Sequence, residues 1–372
     1  MSTKAQTIFS LIERIAPKYC AEEWDNVGLM VGKYNRDISR ILVSLEFDDE
    51  VFKEAVKNKA DLIITHHPLI FDAVKNVRTD TPQGRYIYKL IDSGIDLYSC
   101  HTNLDSSING LNHHVAEMLG LKDPVVLDVS GYETYKKLVI YVPKGYEEVV
   151  RDAMGNAGAG YIGNYSHCTF MSEGTGSFLP HEGTHPFLGK EGKLEKADEY
   201  RVETIVPDRL VKKALSAAIK VHPYEEVAYD IYPLKNRDEA YGIGRIGCTE
   251  GECNPFEYAL KVKERLGIKE LKIGGDIDKR VKKVAVVNGS GGSYVSAAHF
   301  AGADLLVTGD VSYHQYRDAK AVGLAVIDAG HYGTEKNVVS FLSDYLRKAA
   351  SEEKLDCKVI ESHTNMDPFV TY

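Results

Sequence analysis

Residues 61–68 read Asp61-Leu62-Ile63-Ile64-Thr65-His66-His67-Pro68, a short apolar run that stops at two adjacent histidines and a proline. A Leu/Ile run of this size without polar alternation predicts a strand buried on both faces, as in a parallel sheet covered by helices. Pro68 has no amide hydrogen and biases His67 towards extended backbone, so the strand ends here. Open α/β sheets gather their ligands at such ends. In mid-strand two neighbouring imidazoles point to opposite faces, whereas at a terminus the backbone can turn and let them converge. The pair points to metal binding; two unconnected surface histidines fit these eight residues as well.

The flanking sequence repeats the same unit. Before the run, Ile41–Leu45 predicts a strand, and 49–59 a helix burying Val51, Phe52, Ala55 and Val56. After it, a helix over 83–92 leads to a strand over 94–99 that ends in Cys100-His101-Thr102-Asn103-Leu104-Asp105. Helices are also expected over 3–16 and 109–119. Such alternation of strand and helix predicts an α/β fold with a parallel or mixed sheet.

The last third returns to this pattern, with strands over 283–287, 303–308, 323–328 and 357–361 and helices over 254–266, 293–301 and 312–321. A long helix is expected to begin near His331 and reach 349. Ala60-Asp61-Leu62-Ile63-Ile64-Thr65-His66-His67 matches Ala303-Asp304-Leu305-Leu306-Val307-Thr308-Gly309-Asp310, and the strand ending at His101 and Asp105 matches the one ending at His331 and Glu335. Two similar halves therefore place ligand-type side chains at matching strand ends, which chance does not do.

Those ends offer His66, His67, Asp105, His331 and Glu335, with His101, Asp310 and His314 nearby. Imidazole and carboxylate without thiolate suit Zn, Mn, Fe or Co. Five or more ligands exceed the needs of one tetrahedral zinc and fit two ions about 4 Å apart. Glu335 is expected at the start of its helix, where the dipole favours an anion. A buried polar network joining the halves is the alternative that the residues leave open.

Residues 131–233 differ in texture and read as a separate inserted domain, between a first half over 1–130 and a second over 234–372. Strands over 137–143, 202–206 and 227–232, with helices over 146–157 and from 208, follow the strand–helix–strand order of a ferredoxin-like α+β unit. A Gly-rich stretch contains Gly174-Thr175-Gly176, a weak anion-cradle signal without a following Lys-Ser/Thr. His181, His185 and His222 are loop histidines, more often idle than ligating.

Composition narrows the classes. Across 372 residues, 44% are hydrophobic and 27% charged, which is ordinary for a globular protein of about two domains. The net charge of −9 argues against nucleic acid or an anionic membrane as partner. No signal peptide or bilayer-length apolar run is recognised. Six scattered cysteines fit reduced thiols in a cytoplasmic protein.

Trp24-Asp25-Asn26-Val27-Gly28-Leu29, Thr65-His66-His67-Pro68, His101-Thr102-Asn103-Leu104-Asp105, Thr308-Gly309-Asp310 and Gly330-His331-Tyr332-Gly333-Thr334-Glu335 together resemble the NIF-three-like family (YbgI/YqfO type, the GTP cyclohydrolase I type 2 homologues) over essentially the whole chain. The resemblance implies two similar α/β halves forming one domain and a dinuclear centre with His66, His67, Asp105, His331 and Glu335 as ligands. Zinc is the foremost metal, with Mn, Fe or Co as others. It also implies a toroidal homohexamer whose metal sites face an internal cavity. Gly174–Gly176 and His222-Pro223-Tyr224-Glu225-Glu226-Val227-Ala228 resemble the PII/CutA-like insert of the longer members. Many members have Asp where this chain has Glu46.

Two functions follow as expectations. One is a metal-dependent hydrolase or GTP cyclohydrolase acting on a small molecule or nucleotide, with His101, Asp310 or His314 as general base or orienting group. The other is a non-catalytic regulatory ring whose insert senses a small molecule.

Overall fold

The structure, a computed structural model, describes residues 2–364 and 366–370 and every side chain among them but those of 237–239. The chain divides into two compact units, Met1–Gly131 with Ala240–Tyr372, and Tyr132–Glu239. Among the described residues no helix is long and apolar enough to cross a membrane.

The first unit contains a mixed sheet whose neighbours run Lys358–Glu361, Arg40–Ser44, Leu62–Thr65, Asp96–Ser99 and Gly28–Val31. The first four are parallel and the last antiparallel. A second set of strands in the same unit repeats the plan: Val281–Ser290, Leu305–Gly309 and Ala325–Asp328 are parallel, with Lys272–Gly275 antiparallel beyond them. The part of Tyr229–Cys253 that follows residue 240 pairs antiparallel on the other side. In the first set Ser44, Thr65 and Ser99 stand level, so three parallel strands end together.

The Leu/Ile run of Leu62–Thr65 is buried at every position. Its period of two divides it between two cores. Leu62 and Ile64 join Ile41 and Val43 in a cluster shared with Val284, Val286, Leu305, Val307 and Ile327 of the other strand set. Ile63 and Leu42 face the opposite cluster, beneath Val51, Ala55, Ile87 and Leu90 of the helices Asp49–Asn58 and Pro82–Ser93. Each fully buried aliphatic side chain contributes about 1.5–3 kcal/mol, which fixes a double-faced strand firmly in register.

The repeat extends to single hydrogen bonds. Asp61 Oδ2 accepts the amides of Ser39 and Arg40, and Asp304 Oδ2 accepts those of Lys282 and Lys283. One carboxylate thus anchors the start of the neighbouring strand in each half. Asp48 caps Asp49–Asn58 by accepting from Glu50 and Val51, a contribution of about 1 kcal/mol.

Several expectations are corrected. Val56 points to solvent, 51% exposed, because it lies off the buried stripe set by Val51 and Ala55. The long terminal helix is two, His331–Glu335 and Val338–Glu352. A further short helix, Thr102–Ser106, precedes Leu111–Met118. In the second unit Gly174–Gly176 lies within the strand Thr169–Phe178, paired along its length with Glu195–Pro207, and this strand is the edge of its sheet.

The second unit has its own core, in which Val150 and Met154 of Glu147–Asn156 and Ala214 and Ala218 of Val211–Val221 pack on Leu138, Ile140, Val142 and Val202. Hydrogen-bonded neighbours run Tyr229–Cys253, Lys122–Pro143, Glu195–Pro207, Thr169–Phe178.

Candidate metal centre

The level strand ends of the first unit bring four imidazoles together. His66 and His67 follow Leu62–Thr65, His101 follows Asp96–Ser99, and His331 begins the short helix after Ala325–Asp328. The ring centroids of His66 and His67 are 5.2 Å apart, those of His66 and His101 5.2 Å, and those of His67 and His331 5.4 Å. Ligand-type atoms of His66, His67 and His101 form one group within 4.8 Å of one another, and those of His67, His331 and Glu335 form a second. His67 belongs to both, and either group could hold a metal ion.

Each ring is turned the same way. His66 Nδ1 lies 2.9 Å from the carbonyl oxygen of Cys100, which can only accept, so Nδ1 carries the proton and Nε2 faces inward. Nδ1 of His67 donates to Glu46 at 2.8 Å, that of His101 to Asp25 at 3.0 Å, and that of His331 to Asp310 at 2.7 Å. A partner on Nδ1 that fixes ring and tautomer is the arrangement found behind metal-ligating histidines. His66 Nε2 is buried and makes no hydrogen bond to another described residue, and the same holds for Asp105 Oδ1. Buried polar atoms are rarely orphaned unless something other than protein completes them. An all-nitrogen-and-oxygen set with two such atoms fits a divalent transition metal.

Glu335 sits at the centre. Its Oε2 accepts from His67 Nε2 at 2.8 Å and lies 3.0 Å from His331 Nε2, while Oε1 is 3.8 Å from His66 Nε2. It ends its five-residue helix, so the expected support from a helix N-terminus is replaced by imidazoles. Burial alone raises its pKa, but His331, His66 and His67 outweigh that and hold the carboxyl well below its usual range. Asp105 Oδ2 is 3.6 Å from His66 Nε2, and burial pushes this second carboxyl up. Burial likewise opposes charge on His67, yet Glu335 and Glu46 raise it to about 10, and Glu335 with Asp310 raises His331 to about 9 against burial. Asp25, raised by burial but bonded by His101 and Thr102, is held at about 2.

The structure thus gathers His66, His67, Asp105, His331 and Glu335, adds His101 to the cluster, and places Asp310 behind His331. Asp310 adopts φ 56°, a left-handed conformation that aspartate enters more readily than most residues other than glycine. His314 is not brought in: it is exposed in the first turn of Tyr313–Val322, against Tyr313. In the second unit His222 uses both ring nitrogens, on Tyr141 O and the Tyr224 amide, and belongs to that core. His181 and His185 are exposed and join no metal-type cluster among the described residues.

Sequence reasoning missed three groups here. Asp25 stood unremarked beside the only tryptophan, 76 residues before His101, and no spacing rule in the sequence links the two. Glu46 was noted only as a departure, but its longer side chain reaches His67. Arg245, 1% exposed, donates to the carbonyls of Gly242, Gly244, Ser107 and Ile108, bracing the turn after Asp105.

The cluster opens into a cavity of about 680 Å³ whose walls include Trp24, Phe71, Asn288 and Tyr294.

The family model for Duf34/NIF3 (NGG1p interacting factor 3) matches residues 3–368. A Bacillus subtilis protein named GTP cyclohydrolase 1 type 2 homolog is 44% identical over 368 residues, covering 99% of this chain and 98% of that one. A Listeria monocytogenes protein of the same name is 37% identical over 361 residues, 97% of this chain and 96% of its own. Among solved structures, a Bacillus cereus protein related to NIF3 superposes with TM-score 0.89 at 41% identity, covering 100% of both chains. A Staphylococcus aureus protein superposes with TM-score 0.75 at 29% identity, over 100% of this chain and 99% of that one.

Proposed function

The chain belongs to the Duf34/NIF3 family, and on that premise we propose that it is a dinuclear divalent-metal protein, zinc foremost, that hydrolyses a small-molecule or nucleotide substrate. The observation that carries this reading is the set of four rings turned alike, with His66 Nε2 and Asp105 Oδ1 buried and without a hydrogen bond among the described residues. Two ligand groups sharing His67, with Glu335 reaching three imidazoles, support two ions. His66, His67, Asp105, His331 and Glu335 are the proposed ligands, with His101 beside them.

Bound cations at such a centre supply Lewis acidity and make water a nucleophile near neutral pH. The chain's own residues do the rest. Asp25, Glu46 and Asp310 hold their imidazoles in one orientation through Nδ1, and an entering cation would displace the contacts of His67 and His331 Nε2 with Glu335. Asp310 uses Oδ2 on His331 and lines the cavity, leaving Oδ1 as the proposed proton acceptor. His314 has no such access. The relatives' name makes GTP the first substrate to assay, beside simple phosphoesters.

The test is elemental analysis of purified protein together with these assays, beside His66→Ala and Glu335→Ala. Two equivalents of metal and an activity lost in both variants are expected. Activity that survives both substitutions unchanged would show that this centre is not the catalyst.

We read the second unit as the ferredoxin-like, PII/CutA-like insert, which the neighbour order Tyr229–Cys253, Lys122–Pro143, Glu195–Pro207, Thr169–Phe178 supports. The second reading, a sensing role for the insert, rests on that resemblance of fold alone. It is tested by thermal shift of the whole chain with nucleotides, where a shift that persists in Glu335→Ala would locate binding away from the centre. The homohexameric ring belongs to the same proposal, and light scattering on the eluted protein measures it.

A further inference from the structure

We propose that Trp24 and Phe71 form a subsite that stacks the planar aromatic ring of the centre's substrate; this deepens the hydrolase reading and rests on it. Both rings line the cavity that holds the cluster, and both are unusually open, Trp24 at 59% and Phe71 at 46% exposure. Their centroids are 5.7 Å apart at a 40° tilt, so the two rings touch and form one aromatic wall. Trp24 stands edge-on to His101, 6.2 Å away, which sets the open wall directly beside the imidazoles.

The backbone around this wall is pinned, although the rings are not covered. Asp25 accepts from His101 Nδ1 and from the amide and hydroxyl of Thr102. Next to it, Asn26 Nδ2 donates to Ile70 O at 2.6 Å, tying the Trp24 turn to the Phe71 turn. One carboxylate therefore orients an imidazole of the centre and anchors the aromatic wall. Two large rings on tethered backbone beside the imidazoles offer a stacking surface for flat π-systems, and an aromatic side chain has few rotatable bonds to freeze on binding.

The opposite requirement, polar groups that fix the ring's orientation, is also met. Asn288 lines the same cavity, is 8% exposed, and has neither Oδ1 nor Nδ2 partnered by protein. Its backbone amide is held by Asn112 Oδ1 at 2.9 Å. A carboxamide offers a donor and an acceptor side by side, matching a heteroaromatic edge that carries both. The cavity volume of about 680 Å³ lies in the range of small-ligand sites. The ligand class is a planar heteroaromatic ring joined to an anionic group that the cations attract, as in a nucleoside phosphate.

Trp24 is the only tryptophan in the sequence, so its emission reports this wall alone. The experiment titrates zinc-loaded protein of measured metal content with AMP, GMP, UMP and phenyl phosphate, and with ribose 5-phosphate as the ringless control. Saturable quenching by at least one aromatic phosphate and none by ribose 5-phosphate is expected. Phe71→Ala should keep its metal and weaken that binding about tenfold, from the stacking value of one base on one aromatic side chain, with Phe71→Tyr restoring it. Asn288→Leu should alter the ranking among the ringed ligands. Equal quenching with and without a ring, no quenching by any of them, or unchanged affinity in Phe71→Ala overturns the proposal. So does an emission that responds only to protein concentration, which would make the wall a contact between copies. Failure of the metal reading shows separately, as absent metal in the starting protein.

Discussion

At the scale of the residue, the site is defined by which nitrogen of each histidine is spoken for. Because Asp25 and Asp310 hold His101 and His331 through Nδ1, Asp25→Asn and Asp310→Asn should lower metal affinity by about 10- to 100-fold while leaving the fold intact, measured by competition with a chromogenic chelator. The proton balance gives a second outcome. In the metal-free protein His67 is raised from about 6.5 to about 10 and His331 to about 9. A raised histidine stabilises the fold fully below its unfolded pKa, and that stability is lost as pH climbs through the folded value. Stripped protein should therefore lose melting temperature between pH 7 and 10, whereas loaded protein, with cations in place of those protons, should not. Metal uptake at pH 7 should release protons, which titration calorimetry in buffers of different ionisation enthalpy detects. The imidazoles themselves were legible in the sequence because Pro68 and the matching strand ends marked them. Asp25 and Glu46 were not, because a carboxylate behind a ligand carries no spacing rule and its partner lies at a distance in the chain.

At the scale of the element, the buried strand governs stability. Ile63 faces one core and is fully buried, so Ile63→Ala should cost about 2–5 kcal/mol in urea unfolding of the metal-free protein. Val56→Ala, on the exposed side of its helix, should stay within about 0.5 kcal/mol. A reversal of that order would mean that the strand's two-sided packing is wrongly described. Strands and helices of both halves were readable because their apolar periods are long and unbroken. Three features were not. Thr102–Ser106 is too short for a period, and the break at Lys336–Asn337 carries no proline or glycine. Gly174–Gly176 was not readable as strand, since a glycine cluster gives no side-chain pattern even when its backbone is in a ladder. The helix-dipole argument for Glu335 failed for the same reason, as it depended on an uninterrupted helix.

At the scale of the whole molecule, the second unit interrupts the sequence of the first, and among the described residues the metal-type groups are drawn from the first unit. A Cβ built on Gly242 would lie 2.7 Å from Ser130 N, so the backbone is close to itself where the chain leaves and re-enters the first unit. Replacing 132–239 with a short Gly-Ser turn should therefore leave a folded protein that retains its metal, checked by circular dichroism and elemental analysis. A shortened chain that folds but holds none would show that the second unit is needed for the centre. The pairing of Lys358–Glu361 with Arg40–Ser44 has a consequence of another kind. His67 likewise meets Glu335 only across 268 positions of the chain. Contacts between such distant segments form slowly, because the loop between them must close first, so the N-terminal strands should assemble ahead of both. A polypeptide lacking residues 358–361 would present Arg40–Ser44 as an open strand edge, of the kind that pairs with other chains.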